Sequence, residues 1–160
     1  MLIPEGPDGR GSVSHLVFTC DDPLIQPVLP QVIVGNERML RLCDLRILEP
    51  EIPPNVYVVR QKSSWINDSL FQQSLIWLHA SLQPWLCSHG LVLVLDCASA
   101  HLTPDVLLTA RRLSIHLVFV PRKMAWLLQP CDTHVFRRYK AWMHRELRAD
   151  MIRLGCSHPT

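Results

Sequence analysis

An α/β domain is predicted by three features of this sequence: short β-rich runs ahead of residue 62, a strand–helix–strand unit between Gly90 and Val120, and a long amphipathic stretch after Asp132. The 160 residues are 48% hydrophobic and only 19% charged, ample for one packed core and unlike a disordered chain.

Residues 1–12 are rich in Gly, Pro and charge with no apolar period, which predicts an irregular lead-in before a domain at 13–154 and a tail at 155–160. His15–Cys20 and Gln31–Val34 read as two strands of a hairpin-like pair, separated by Asp21, Asp22 and three prolines. Residues 36–55 alternate charged and aliphatic positions and predict no definite element, and Val56–Arg60 follows as a strand. From Trp65 to Leu86 apolar residues at 66, 70, 71, 75, 78, 82 and 86 recur at helical spacing. That predicts one amphipathic helix with Asn67 and Asp68 near its start and an end near Pro84.

Gly90–Asp96 is an unbroken aliphatic run ending in a carboxylate, the pattern of a central strand buried on both faces. Thr103-Pro104-Asp105 supplies an N-cap, a proline at the first helical position and a first-turn acid, opening a helix through Arg112. Ser114–Val120 is the next strand, stopped by Pro121. Strand, helix, strand over this length predicts a parallel βαβ unit with a right-handed crossover. Last, Val135, Tyr139, Trp142, Met143, Leu147, Met151 and Leu154 form an apolar stripe on a helix whose other positions carry Arg137, Arg138, Lys140, Arg145 and Arg148.

No apolar run approaches the roughly 20 residues that cross a bilayer. The first residues lack a basic segment and a long apolar stretch, so an intracellular setting is expected. Six scattered cysteines without a CxxC pair argue for reduced thiols and against structural zinc. Residues 1–120 carry eight basic and eleven acidic side chains, whereas residues 121–160 carry eight and three, so the C-terminal end is the expected polyanion-facing surface.

The predicted topology puts Asp96 at the tip of one strand, and the loop after the neighbouring strand delivers Asp132 to the mouth of the last helix, the edge where α/β sheets build sites. Two carboxylates there suit Mg2+ and phosphodiester chemistry. Each has a plainer alternative: Asp132 before Thr133 is a good helix cap, and an acid at a strand end is common. His101 is a loop histidine or an orienting group for a phosphate or a carboxylate, while Arg122 and Lys123 are phosphate contacts or a solvated basic loop. Cysteine–histidine hydrolysis through Cys97 and His101, or Cys131 and His134, lacks a third orienting group.

Leu93-Val-Leu-Asp96-Cys-Ala-Ser-Ala-His101, Val118-Phe-Val-Pro-Arg-Lys-Met-Ala-Trp-Leu-Leu-Gln-Pro-Cys-Asp132 and Val135-Phe-Arg-Arg-Tyr-Lys140 resemble the DDE superfamily endonucleases of mariner and pogo-type transposons. That group also includes centromere protein B and the jerky-like proteins. The resemblance spans roughly residues 13–150 and is strongest over 91–140, with 35 residues between the two acids. It implies an RNase H-like mixed sheet with flanking helices. It also implies metal-dependent DNA cleavage and strand transfer, with Asp96 and Asp132 as the second and third acids holding Mg2+ or Mn2+.

His101, Arg122 and Lys123 at the sheet edge and Arg137, Arg138 and Lys140 on the basic helix are the expected nucleic-acid contacts. DNA is the expected partner, the setting is nuclear or otherwise intracellular, and a homodimer or transposon-end complex is the expected assembly. Cys97 stands where the family has Asn. The family places its first acid on a strand ahead of His15–Cys20; that strand and acid are expected to be missing here, Asp21 and Asp22 being turn residues. The expected function is therefore a truncated or decayed transposase catalytic domain, with a domesticated DNA- or protein-binding module using the basic last helix as the alternative.

Overall fold

The computed structural model describes residues 13–38, 40–87, 89–124, 131 and 135–153. The chain divides into two compact units, the first ending at Phe119 and the second beginning at Val120. The architecture is mixed α/β, sheets with flanking helices, consistent with an RNase H-like nuclease fold.

In the first unit β1 (Val13–Val17), β2 (Gln31–Asn36) and β3 (Val56–Gln61) form one sheet in the order β1-β2-β3. β1 runs antiparallel to β2, Val13 opposite Gly35 and Val17 opposite Gln31, as expected of the hairpin-like pair. β2 and β3 run parallel, Gln31 opposite Val56 and Asn36 opposite Gln61. The parallel step needs a crossover, and residues 36–55 provide one: a short helix α1 (Leu42–Leu48) followed by a 3-10 turn at Glu49–Glu51. Arg60 at the end of β3 donates from Nε to the Leu40 carbonyl and from its guanidinium to the Glu37 carbonyl, tying down the start of that crossover.

The first strand begins and ends earlier than His15–Cys20. After Val17 the backbone bonds to side chains instead of a ladder: Gln31 donates to the Phe18 carbonyl at 3.2 Å, and the Cys20 N–H donates to Gln26 at 2.8 Å.

α2 (Asp68–Ser81) is the hub of the first unit. Asn67 caps it, its side chain accepting from the Leu70 N–H at 2.9 Å. The predicted single helix to Pro84 is broken at Leu82, where the backbone leaves helical geometry and α3 (Gln83–Leu86) restarts with Pro84 inside its first turn. The inner face of α2 feeds three clusters. Leu70 meets Val32 and Val34 of β2; Phe71 and Leu75 meet Leu95, Val106, Ala110 and Ile115; Leu78 and Leu82 meet Phe18 and Leu29. Leu16 of β1 packs against all three. Burying each such side chain contributes about 1.5–3 kcal/mol.

β4 (Leu91–Asp96) and β5 (Ile115–Val120) are neighbours in a second sheet, joined through α4 (Pro104–Arg112), which packs on α2. The prediction of a strand buried on both faces is corrected. Val92 is 59% and Val94 48% exposed, as is Val118 of β5 at 48%, so only the alternate face, centred on Leu95 and Ile115, is in the core. Thr103 occupies the N-cap position of α4 with extended backbone, but its hydroxyl makes no capping bond and is buried without a partner among the described residues. Ser114, between α4 and β5, adopts a left-handed φ of 54°.

The second unit contains a 3-10 turn at Arg122–Met124 and α5 (Phe136–Arg153). Among the described residues no helix is long and apolar enough to cross a membrane.

Candidate functional site

Asp96 ends β4, where the ladder stops and the backbone turns through Ser99–His101 in a single 3-10 turn. That turn is built on the Asp96 side chain itself: Oδ1 accepts from the Ala98 N–H at 3.1 Å. The His101 N–H then donates to the Ala98 carbonyl at 3.0 Å, which brings the histidine back toward the strand end. Its Nδ1 lies 2.8 Å from Asp96 Oδ1 and 3.2 Å from the Asp96 carbonyl. The imidazole also rests on the ring of Phe71, centroids 4.2 Å apart and tilted 35°. His101 is largely covered, its side chain 16% exposed, while that of Asp96 is 41% exposed.

Of the sequence-predicted site residues, the structure therefore brings together Asp96 and His101. Asp132 lies outside the described residues, as do Trp126 and His134. In the second unit Arg122 belongs to the backbone turn at Arg122–Met124 and Lys123 is exposed in it. Arg137, Arg138 and Lys140 are exposed on the first turns of α5. His144, Arg145 and Arg148 continue the same exposed face at spacings of three and four. Arg145 reaches Glu146 at 3.2 Å, a solvated pair of little energetic weight. Sequence reasoning passed over His144, although the interval from Lys140 to His144 to Arg148 is the signal that finds it.

Asp22, read from the sequence as a turn residue, is engaged locally. Its Oδ1 accepts from the Leu24 N–H at 2.7 Å and the Ile25 N–H at 3.3 Å, an Asx turn that opens the loop between β1 and β2. Among the described residues no three His, Cys, Asp or Glu side chains gather as a metal-binding group. An apolar cavity of about 590 Å3 lies on the first sheet, lined by Val13, Ile33, Leu45, Leu48, Val56 and Val58. It lacks converging polar groups and does not include Asp96, so its size does not make it the site.

The geometry at Asp96 is that of a carboxylate held by two donors through one oxygen at the carboxyl end of a strand, a hard oxygen ligand in the place where α/β sheets bind phosphate-bearing molecules. A family model described as DDE superfamily endonuclease matches residues 26–156, a span containing Asp96, His101 and Asp132. The chain belongs to that family. DDE endonucleases depend on divalent metal ions and act on DNA. What is described of the donor set suits such an ion in kind, offering one carboxylate oxygen that no described residue occupies. No curated protein and no solved structure matches the chain.

Proposed function

We propose that this DDE domain is a decayed transposase catalytic domain of the mariner and pogo group, kin to centromere protein B and the jerky-like proteins. It keeps metal and DNA binding without efficient strand cleavage and transfer. The observation that carries this reading is Asp96 at the end of β4, clamped through Oδ1 and half exposed, inside the matched span. Asp96 and Asp132 would hold Mg2+ or Mn2+ together with substrate phosphate. Such an ion, when bound, activates the attacking hydroxyl and stabilises the leaving oxygen. Arg122, Lys123, Arg137, Arg138 and Lys140 would meet DNA phosphates, fixing register without reading sequence.

Decay is proposed because holding two ions takes more than two carboxylates, and the family resemblance carries over only two, Asp96 and Asp132. The nuclear setting and pairing of copies at DNA ends belong to the same reading. The test is incubation of purified protein with transposon-end duplex and Mg2+: the expected result is retention of the DNA without cleavage. Cleavage that Asp96→Ala and Asp132→Ala each abolish would show an intact nuclease instead.

One observation favours a second reading, a domesticated binding module. Arg137, Arg138, Lys140, His144, Arg145 and Arg148 are all exposed on α5. If that face alone binds DNA, affinity falls steeply with salt, is unaffected by Asp96→Ala, and is lost when Arg137, Arg138 and Lys140 are replaced by Gln.

A further inference from the structure

We infer that His101 is the positioning residue of the Asp96 carboxylate, holding it so that Oδ2 alone is presented to a divalent cation. This rests on the reading of Asp96 as a metal ligand and adds the group that aims it.

The proton assignment follows from what Nδ1 faces. Both neighbours of that nitrogen, Asp96 Oδ1 at 2.8 Å and the Asp96 carbonyl at 3.2 Å, are acceptors, so Nδ1 carries the hydrogen. Oδ1 then receives two donors, His101 Nδ1–H and the Ala98 N–H at 3.1 Å, which match its two lone pairs. Oδ2 has no partner among the described residues. A carboxylate saturated at one oxygen and open at the other is a one-oxygen ligand with a fixed plane. The smaller, stricter coordination shell of Mg2+ suits such a ligand better than a freely rotating one.

His101 can impose that plane because it is itself held. Its ring lies against Phe71, which is 2% exposed and anchored in the core through α2, and its own N–H is tied to the Ala98 carbonyl. Rotation of Asp96 about its terminal bond would break both bonds to Oδ1. Hydrogen-bond partners of ligating side chains typically govern metal affinity by about 10–100-fold.

The experiment is a Mn2+ titration of the whole chain followed by water-proton relaxation, on the wild type and on Asp96→Asn, His101→Ala, His101→Gln and His101→Asn, with thermal melting of each. Asn places its Nδ2 donor where His101 has Nδ1, whereas Gln carries its donor further out. Expected are weaker Mn2+ binding in Asp96→Asn, a loss of about 10–100-fold in His101→Ala and His101→Gln, and recovery of most of the affinity in His101→Asn. If Asp96→Asn weakens binding while His101→Ala and His101→Gln do not, or if His101→Asn binds no better than His101→Gln, the positioning role is wrong. If Asp96→Asn binds Mn2+ like the wild type, the metal-ligand reading itself falls, and the inference with it. Should His101→Ala fail to fold, the comparison of His101→Asn with His101→Gln decides, because both keep a polar planar side chain over Phe71.

Discussion

Tyr57 of β3 lies flat on Trp77 of α2, ring centroids 4.1 Å apart and planes within 9° of parallel. The pair fastens the edge strand of the first sheet to the helix whose N-terminal part carries Phe71 beneath His101. Stacked aromatic pairs contribute about 0.5–1.5 kcal/mol beyond the area they bury. A double-mutant cycle with Tyr57→Leu and Trp77→Leu, read by urea unfolding, is expected to return a coupling of about that size. Additive single losses would mean that the rings only fill space.

The two N-caps of α2 and α4 predict opposite outcomes. Asn67 makes its capping bond, so Asn67→Ala should cost about 1 kcal/mol. Thr103 makes none and buries its hydroxyl, so Thr103→Val, which keeps the shape, should leave stability unchanged or raised. Chemical denaturation of both variants checks the contrast; a Thr103→Val loss equal to that of Asn67→Ala would show that the hydroxyl is bonded after all.

Ser114 pays for its left-handed φ of 54°, a conformation that costs an L-residue roughly 1–2 kcal/mol and glycine far less. Part of that gain is offset by the greater freedom of glycine when unfolded. Ser114→Gly is therefore expected to stabilise the protein by about 0.5–1 kcal/mol, and Ser114→Val to destabilise it. Melting temperatures of the two variants should move in opposite directions.

His15 on β1 has its pKa lowered, chiefly by burial, against a hydrogen bond with Gln31 that raises it. The unfolded chain therefore takes up a proton near the ordinary value of about 6.5 while the folded chain resists it. Stability from this group is complete above that pH and is lost as pH falls toward and through the lower folded value. The melting temperature should drop between pH 7 and 5, and His15→Gln should flatten that part of the profile. An unchanged slope in the variant would assign the drop to other groups.

The elements most legible in the sequence were those whose local signals agree with their surroundings. Asn67, Pro104 and Pro121 mark boundaries that the structure reproduces to within a residue or two. α1 was hidden because Leu42–Leu48 alternates charged and aliphatic residues and buries none of them. Its start is supported by the Arg41–Asp44 pair, bonded at 2.9 and 3.0 Å, which lowers the Asp44 pKa and raises that of Arg41. The exposure of Val92 and Val94 was unreadable, since an aliphatic run looks the same whether one face or both are covered. Asp96 and His101 stood out separately. Their bond did not, because it depends on a 3-10 turn that no periodicity announces.

Leu16 has a consequence for how the chain is made. It sits near the beginning of the sequence, yet the clusters it joins are completed by Leu91, Leu93 and Ile115. At a synthesis rate of about 5–20 residues per second, the roughly 75 residues from Leu16 to Leu91 take about 4–15 s to emerge. For that interval β1 and β2 have at most the Leu70, Leu78 and Leu82 contacts of the α2 segment, and the side of Leu16 that Leu91, Leu93 and the Ile115 cluster cover stays open. Ribosome-bound chains halted before Leu91 should accordingly be cut by protease within β1 and β2, and chains released beyond Val120 should resist.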